Sequence, residues 1–341
     1  MSKPDVPRDA DSPSNQQSVA TRGTDRRRQF TRTLLAPLWN RTEHRPRALW
    51  RILGAFVLVA VGSQVLPPVL FGNRDLPPSV LGAAQNAFTV IIVLLVAVVW
   101  AWNVDRRRLT DYGLDVGPEW IRDAAAGAVI AFLVWGMALG VHLSVGWAHI
   151  SAVLSPGVAA NALPVSQALI AFSVQFLLVG IWEELLFRGI VLTNAAEGLQ
   201  LRWLSERGAV LAGLGTSSLL FGVVHVDQAA SLPALAFWVL MGVVLGSAYV
   251  VTDSLAVPIG LHSATNLAFN NVYGLSNVRP ETAEIAATVL RPEFTGPARF
   301  VAVSGLVNVG AVVLIAVLSI GYVTVQRRGL RMRLSPADSV S

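Results

Sequence analysis

Cysteine is absent from this 341-residue chain. Disulfides, thiolate nucleophiles and cysteine-bound metals are thereby excluded. Charge is scarce as well: Asp, Glu, Lys and Arg supply 14% of residues, against about 25% in an ordinary soluble domain. A chain so short of charge lacks the means to cover a water-facing surface. No apolar stretch of the signal-peptide kind occurs in the first 45 or so residues, so no cleavable leader is expected. What is abundant is hydrocarbon. Hydrophobic residues make up 53%, the mean hydropathy is +0.56, and several apolar runs reach the roughly 20 residues that cross a bilayer. These features predict an all-α, polytopic transmembrane helix bundle, a multi-pass protein of the cell membrane, in a bacterial setting the plasma membrane.

A formal charge of +5 and a pI near 10.3 raise nucleic acid as a partner. The arginines, however, gather at the ends of apolar runs and in the N-terminal tail, without interleaved aromatics, so no nucleic-acid partner is expected. Residues 1–45 read as a disordered basic cytoplasmic tail containing "DRRRQFTR". A transmembrane domain over 46–326 and a short cytoplasmic tail over 327–341 follow. Eight spans are expected near 49–71, 82–104, 123–145, 164–192, 209–226, 233–251, 255–272 and 299–325. Excess Lys and Arg marks cytoplasmic loops. Arg106, Arg107 and Arg108, then Arg202 and Arg207, then Arg327, Arg328, Arg331 and Arg333 alternate with cation-poor loops, which places both termini in the cytoplasm. The segment 273–298, with Arg279 and Arg291 and with Arg299 just beyond it, fits this alternation least well.

Subtracting the charges at span ends leaves few ionisable groups at membrane depth. They are Glu183, Glu184 and Arg188 in "IWEELLFRGIV", His225 in the fifth span and His262 in the seventh. Such residues face a bundle interior or a wet cavity and mark function. Glu184 and Arg188 are four apart on one helix and can pair; Glu183 lies about 100° around the helix, on another face. The spacing therefore suggests a structural ion pair, Glu184–Arg188, and a free carboxylate, Glu183. "FGVVH" sets Phe221 and His225 four apart, with Ser218 one turn back. "HSATN", continued to Asn270, sets His262, Asn266 and Asn270 along one helix side. A carboxylate that activates water, histidines that orient it or carry protons, and a His/Asn pair facing a developing oxyanion are the parts of a hydrolytic site. Taken singly, a Glu–Arg pair is as well read as a packing clamp, and a lone His or Asn in a span as interhelical glue. Phe187 and Phe221 read as core packing, and His44, His142 and His149 as non-catalytic.

The ordered set "EELLFR" (Glu183–Arg188), "FGVVH" (Phe221–His225) and "HSATN" (His262–Asn266), on three apolar spans, resembles the CAAX-protease and bacteriocin-processing family of intramembrane proteases, also called the Abi family, which includes the type II prenyl-protein endopeptidases. The resemblance covers about 164–272, and "DRRRLTDYGLD" after the second span is similar to a loop of that family. It implies a helical membrane bundle that hydrolyses a peptide bond of a membrane-associated or lipidated protein or peptide. By motif match, Glu183 and His225 would activate the water, His262 and Asn266 would bind the oxyanion, and Glu184 with Arg188 would hold the fourth helix. Zinc stays open as a cofactor, held if present by Glu183, His225 and His262; the helix-borne H-E-x-x-H spacing is missing, and an amide at Asn266 suits an oxyanion better than a metal. A non-catalytic scaffold or bacteriocin-immunity protein of the same fold and a proton-coupled transporter are the competing readings. One tension remains. With the fourth span drawn to 192 and the fifth to 226, at about 1.5 Å per residue, Glu183 falls near the cytoplasmic side and His225 nearer the outer side.

Overall fold

The computed structural model describes residues 38–40, 43–72, 75–159, 161–229, 231–278 and 286–326. Most of the expected N-terminal tail and the whole of the expected C-terminal one lie outside them. Each expected span coincides with a helix. In order these are α1 (Ala48–Gln64), α2 (Pro78–Val99), α3 (Pro118–Ser144), α4 (Val165–Glu184), α5 (Glu206–Val223), α6 (Leu232–Thr252), α7 (Ala256–Leu267) and α8 (Leu306–Gln326). The molecule is an all-α bundle. Among the described residues, five helical stretches are long and apolar enough to cross a membrane: those of α2, α3, α4, α6 and α8.

The helix ends follow local chemistry. Pro78 and Pro118 open α2 and α3 at a position where a missing N–H costs nothing. Ser205 and Ser231 cap α5 and α6, each hydroxyl accepting a hydrogen bond from a first-turn amide, Gly208 at 3.1 Å and Ala234 at 3.4 Å. Three helices do not stop where their α-helical geometry stops. α2 runs on as a π-helical turn through Trp100–Asp105, and α7 does so through Ala268–Val272. α4 continues as π-helix over Leu185–Leu192 and again as α-helix over Thr193–Gly198.

That extension of α4 resolves the depth conflict. The helix ends at Gly198 rather than near 192, so Glu183 stands close to its middle. α5 starts only at Glu206 and runs back alongside. An equal run back along α4 from Gly198 reaches the level of Ile181, so the end of α5 meets the middle of α4. His225 lies just beyond α5, in the connection to α6, rather than inside the fifth span.

α7 packs against α3, α4 and α6, and α5 against α6 and the end of α4. Small residues let these backbones approach, as interfaces between membrane helices require. A Cβ on Gly127 of α3 would stand 2.6 Å from the Val257 carbonyl, and one on Gly260 of α7 would strike the Ala124 carbonyl. The loops carry structure that composition did not suggest. β1 (Trp39–Asn40) pairs antiparallel with β2 (Arg45–Pro46), across the expected boundary between tail and transmembrane domain. β3 (Ala148–Ser155) pairs antiparallel with β4 (Thr288–Phe294), with an irregularity between Ile150 and Ala152. The poorly fitting segment 273–298 is thus in part a strand tied to the α3–α4 connection.

Candidate active site

The polar residues singled out on three spans converge. Glu184 is fully buried and meets two donors: Arg188 Nε stands 3.0 Å from its Oε2, and His262 Nδ1 lies 2.7 Å from its Oε1. The Glu184–Arg188 pair forms as the four-residue spacing suggests. The bond to His262 does not follow from that spacing, and it changes the division of labour: Glu184 is a partner of an imidazole as well as of the arginine. Glu183, one residue earlier, approaches the same imidazole from its other nitrogen. Its Oε2 is 3.9 Å from His262 Nε2 and 3.9 Å from His225 Nε2. Two carboxylates on different faces of α4 therefore bracket one ring.

The second nitrogen of each histidine fixes its chemistry. His225 Nδ1 lies 2.7 Å from the Phe221 carbonyl, which only accepts, so Nδ1 carries a proton there. His262 Nδ1 donates likewise to the Glu184 carboxylate. Both rings consequently present Nε2 to Glu183, and in a neutral ring that nitrogen bears the lone pair. At 3.9 Å the carboxylate is beyond a direct hydrogen bond from either ring and within the span of one bridging water. Glu183 and His225 are each 8% exposed and His262 4%, so whatever lies between them is shielded from bulk solvent.

Around this centre the bundle is held by contacts specific to α4's π-helical stretch, an irregularity frequent at functional sites. Side-chain hydroxyls serve two of its carbonyls: Ser217 Oγ donates to Phe187 O at 2.7 Å and Thr193 Oγ1 to Arg188 O at 3.1 Å. Arg188 also donates to the Gly242 carbonyl of α6 at 3.1 Å, and its guanidinium carbon sits 4.7 Å from the centre of the Phe221 ring. Phe221 packs edge-on against Phe187 at 5.2 Å and against His262 at 5.9 Å. The two phenylalanines are packing residues, as expected, and they pack the site itself.

A cavity of about 290 Å³ opens beside the histidines. His225, His262, Asn266 and Asn270 line it, together with an apolar wall that includes Trp135, Phe176, Phe237, Trp238 and Met241. The stripe of His262, Asn266 and Asn270 thus faces the cavity along its whole length. Trp135 donates from Nε1 to Thr265 Oγ1 at 3.1 Å, which ties α3 to α7 at the cavity edge. The three other histidines stand apart from the cluster. His142 is buried against Trp147 and Phe294, exposed His149 pairs with Glu293 at 3.3 Å, and His44 lies in the β1–β2 turn with a positive φ of 53°. Among the described residues, no group of three or more His, Asp or Glu side chains has the geometry to hold a metal ion.

Spacing could not have shown Trp238. It sits in an apolar span that carries no Asp, Glu, Lys, Arg or His, and one aromatic in such a run has no periodic signature. A second buried charge cluster went equally unmarked. Arg51 bridges Asp105 at 3.1 Å and Glu197 at 2.7 Å, Arg107 also meets Glu197, and Arg45 donates to the Asp105 carbonyl at 2.8 Å. The arginines of that region read simply as markers of membrane orientation.

Comparison with known proteins agrees with the geometry. Residues 164–268 match the model of a family described as type II CAAX prenyl endopeptidase Rce1-like. Among curated proteins and among solved structures, nothing matches the chain. The matched stretch runs from the start of α4 into the end of α7 and contains Glu183, Glu184, Arg188, His225, His262 and Asn266. Over that stretch this multi-pass membrane protein is similar to the Rce1-like type II CAAX prenyl endopeptidases.

Proposed function

We propose that the protein is an intramembrane endopeptidase that hydrolyses a peptide bond of a membrane-associated or lipidated protein or peptide. One observation carries the reading: Glu183 Oε2 stands equidistant, at 3.9 Å, from Nε2 of His225 and of His262. A water between Glu183 and His225 loses a proton to the carboxylate as its oxygen attacks the scissile carbonyl carbon. The negative charge that develops on the carbonyl oxygen is met by His262 and Asn266. His262 can donate from Nε2 when Glu184, at 2.7 Å from Nδ1, supports a proton on both nitrogens; the Asn266 amide donates alongside. Collapse of the tetrahedral intermediate breaks the C–N bond, and Glu183 returns its proton to the leaving amine. Glu184 and Arg188 hold α4 against α6 and α7 throughout.

Glu183, His225 and His262 are the residues that would hold a zinc ion, which would supply Lewis acidity or a more acidic water, but as placed they form no metal-holding group. The side-chain mechanism is favoured because it employs Asn266, an amide well suited to an oxyanion. On the arginine pattern, both termini face the cytoplasm. The chain's lack of native cysteine makes this directly testable, with single introduced cysteines labelled from one side of the membrane.

The deciding experiment incubates the purified full chain in liposomes with a library of lipid-anchored, internally quenched peptides, beside Glu183→Ala and His225→Ala. Cleavage by wild type and a loss of at least about 10²-fold in each variant is expected. Equal cleavage by all three proteins would sink the mechanism, and no cleavage of any peptide by wild type would favour a scaffold or a transporter. Metal analysis of the same preparation, with activity after chelation, decides zinc.

A further inference from the structure

The motif residues come from α4, from the α5–α6 connection and from α7. α6 supplies none of them, yet one of its side chains touches the site. Trp238 lies with its ring centre 4.5 Å from that of His225 and its plane within 20° of the imidazole, a stacked pair. Phe221 flanks the same imidazole at 4.6 Å, tilted by 39°, and Phe237 meets Trp238 edge-on at 6.0 Å, which fixes the indole in turn.

His225 has particular need of such a contact. It follows the end of α5 and precedes a short 3₁₀ turn, so no regular helix on either side dictates where its side chain points. The bond from Nδ1 to the Phe221 carbonyl anchors one atom of the ring and leaves the ring free to swing about that atom. A face-to-face indole removes the swing. What it preserves is the 3.9 Å approach of Nε2 to Glu183, the distance on which the proposed water activation depends.

From this geometry we propose that Trp238 is a positioning residue: it clamps the His225 imidazole so that Nε2 faces Glu183. The inference rests on the role given to His225 above. The indole Nε1 is buried and has no hydrogen-bond partner among the described residues. Trp238→Phe therefore deletes no hydrogen bond and keeps a ring to stack, whereas Trp238→Leu keeps apolar bulk and loses the stack.

Turnover is measured in liposomes on the library peptide that wild type cleaves fastest. Trp238→Leu lowers kcat by about 10- to 10²-fold, the scale of a misplaced catalytic group, with KM changed less than about threefold; Trp238→Phe restores kcat to within about threefold of wild type. In a His225→Ala background, Trp238→Leu has no further effect, because the tryptophan acts only through the ring that is gone. Losses that multiply in the double variant overturn the clamp, since Trp238 would then act as an independent part of the cavity wall. Wild-type cleavage by His225→Ala overturns instead the role of His225 itself. Where turnover of the double variant is below detection, the imidazole ¹H–¹³C resonance of His225, assigned by its loss in His225→Ala, decides. Trp238→Leu broadens or splits it and Trp238→Phe leaves it single; a sharp, unmoved resonance in Trp238→Leu overturns the clamp.

Discussion

Two buried charge clusters sit at two levels of the same helix, and they are built on different rules. Towards the end of the α4 extension, Glu197 and Asn194 join Asp105, Arg45, Arg51, Arg107 and Tyr112. There carboxylates and guanidinium groups meet directly, and Asp105 Oδ2 accepts from both Tyr112 Oη and Asn194 Nδ2 at 2.7 Å. At mid-helix, Glu184 follows that rule, closed between Arg188 and His262. Its neighbour Glu183 does not. It stands off two imidazoles by a distance that suits a water and no direct bond. A network of direct ion pairs holds helices together, since every charge in it would be costly to leave alone. On the mechanism proposed above, a carboxylate held short of its partners is the one that takes up and returns a proton. On that reading, the difference between a structural and a catalytic carboxylate is the difference between 2.7 and 3.9 Å.

The comparison breaks most visibly at Glu183. Glu183→Ala should lower peptide cleavage by about 10²–10⁴-fold, the range of a lost general base, while detergent-solubilised protein unfolds at nearly the wild-type temperature, because no direct bond is removed. Loss of cleavage together with early unfolding would place Glu183 in the closed class with Glu184. Asp105→Ala probes the opposite pole. It strips Arg51, Tyr112 and Asn194 of their shared acceptor, and about 3–5 kcal/mol of stability should go, as for other buried pairs broken from one side. Unfolding in mixed micelles measures the loss. Per folded molecule, cleavage should stay at the wild-type rate, and a fall in that rate would mean the far cluster also shapes the site.

These two clusters were unequally legible in the chain. Helix positions could be read because apolar runs of bilayer length admit little else, and Glu183, Glu184, Arg188, His225 and His262 stood out because charge and imidazole are rare in hydrocarbon. Spacing gave the Glu184–Arg188 pair, since i,i+4 neighbours meet within one helix. It could not give Glu184–His262, a contact between residues far apart in sequence that depends on how closely α4 and α7 pack. It hid the Asp105 cluster because arginines at a span end have a sufficient explanation in membrane topology. Strands β3 and β4 escaped notice for a similar reason: they pair across a separation that no local pattern encodes. Trp238 carried no signal at all in an apolar run.

The approach of α4 to α7 is itself open to test. Gly180 stands one turn before Glu184, and a Cβ there would collide with Ser263 Oγ, next to His262. Gly180→Ala should cost about 1–3 kcal/mol by overpacking, softened if the serine hydroxyl, which bonds nothing among the described residues, rotates away. Widening the gap also stretches the 2.7 Å Glu184–His262 bond. Cleavage should therefore fall by about tenfold or more, the sensitivity expected when a catalytic group moves by a fraction of an ångström. Gly180→Ala with Ser263→Ala restores the space and should recover most of the activity. Failure of that rescue would separate helix approach from the alignment of His262.

The smallest effect sharpens the comparison from the closed side. Tyr112 Oη donates to Asp105 Oδ2, which still accepts from Asn194 when the hydroxyl is removed. Tyr112→Phe should therefore cost only about 1 kcal/mol and leave cleavage untouched. Its pH dependence carries the distinctive prediction. Burial, and then the adjacent Asp105 charge, raise the phenol well above its ordinary pKa of 10.0, so the folded protein holds a proton that the unfolded chain releases. A raised folded-state pKa gives stability that is complete below the unfolded value and declines as pH climbs above it. The stability gap between wild type and Tyr112→Phe should accordingly be constant from neutral pH to about 9 and narrow above about 10. A gap that widens with alkali would mean that the phenolate, rather than the phenol, is the form the Asp105 cluster holds.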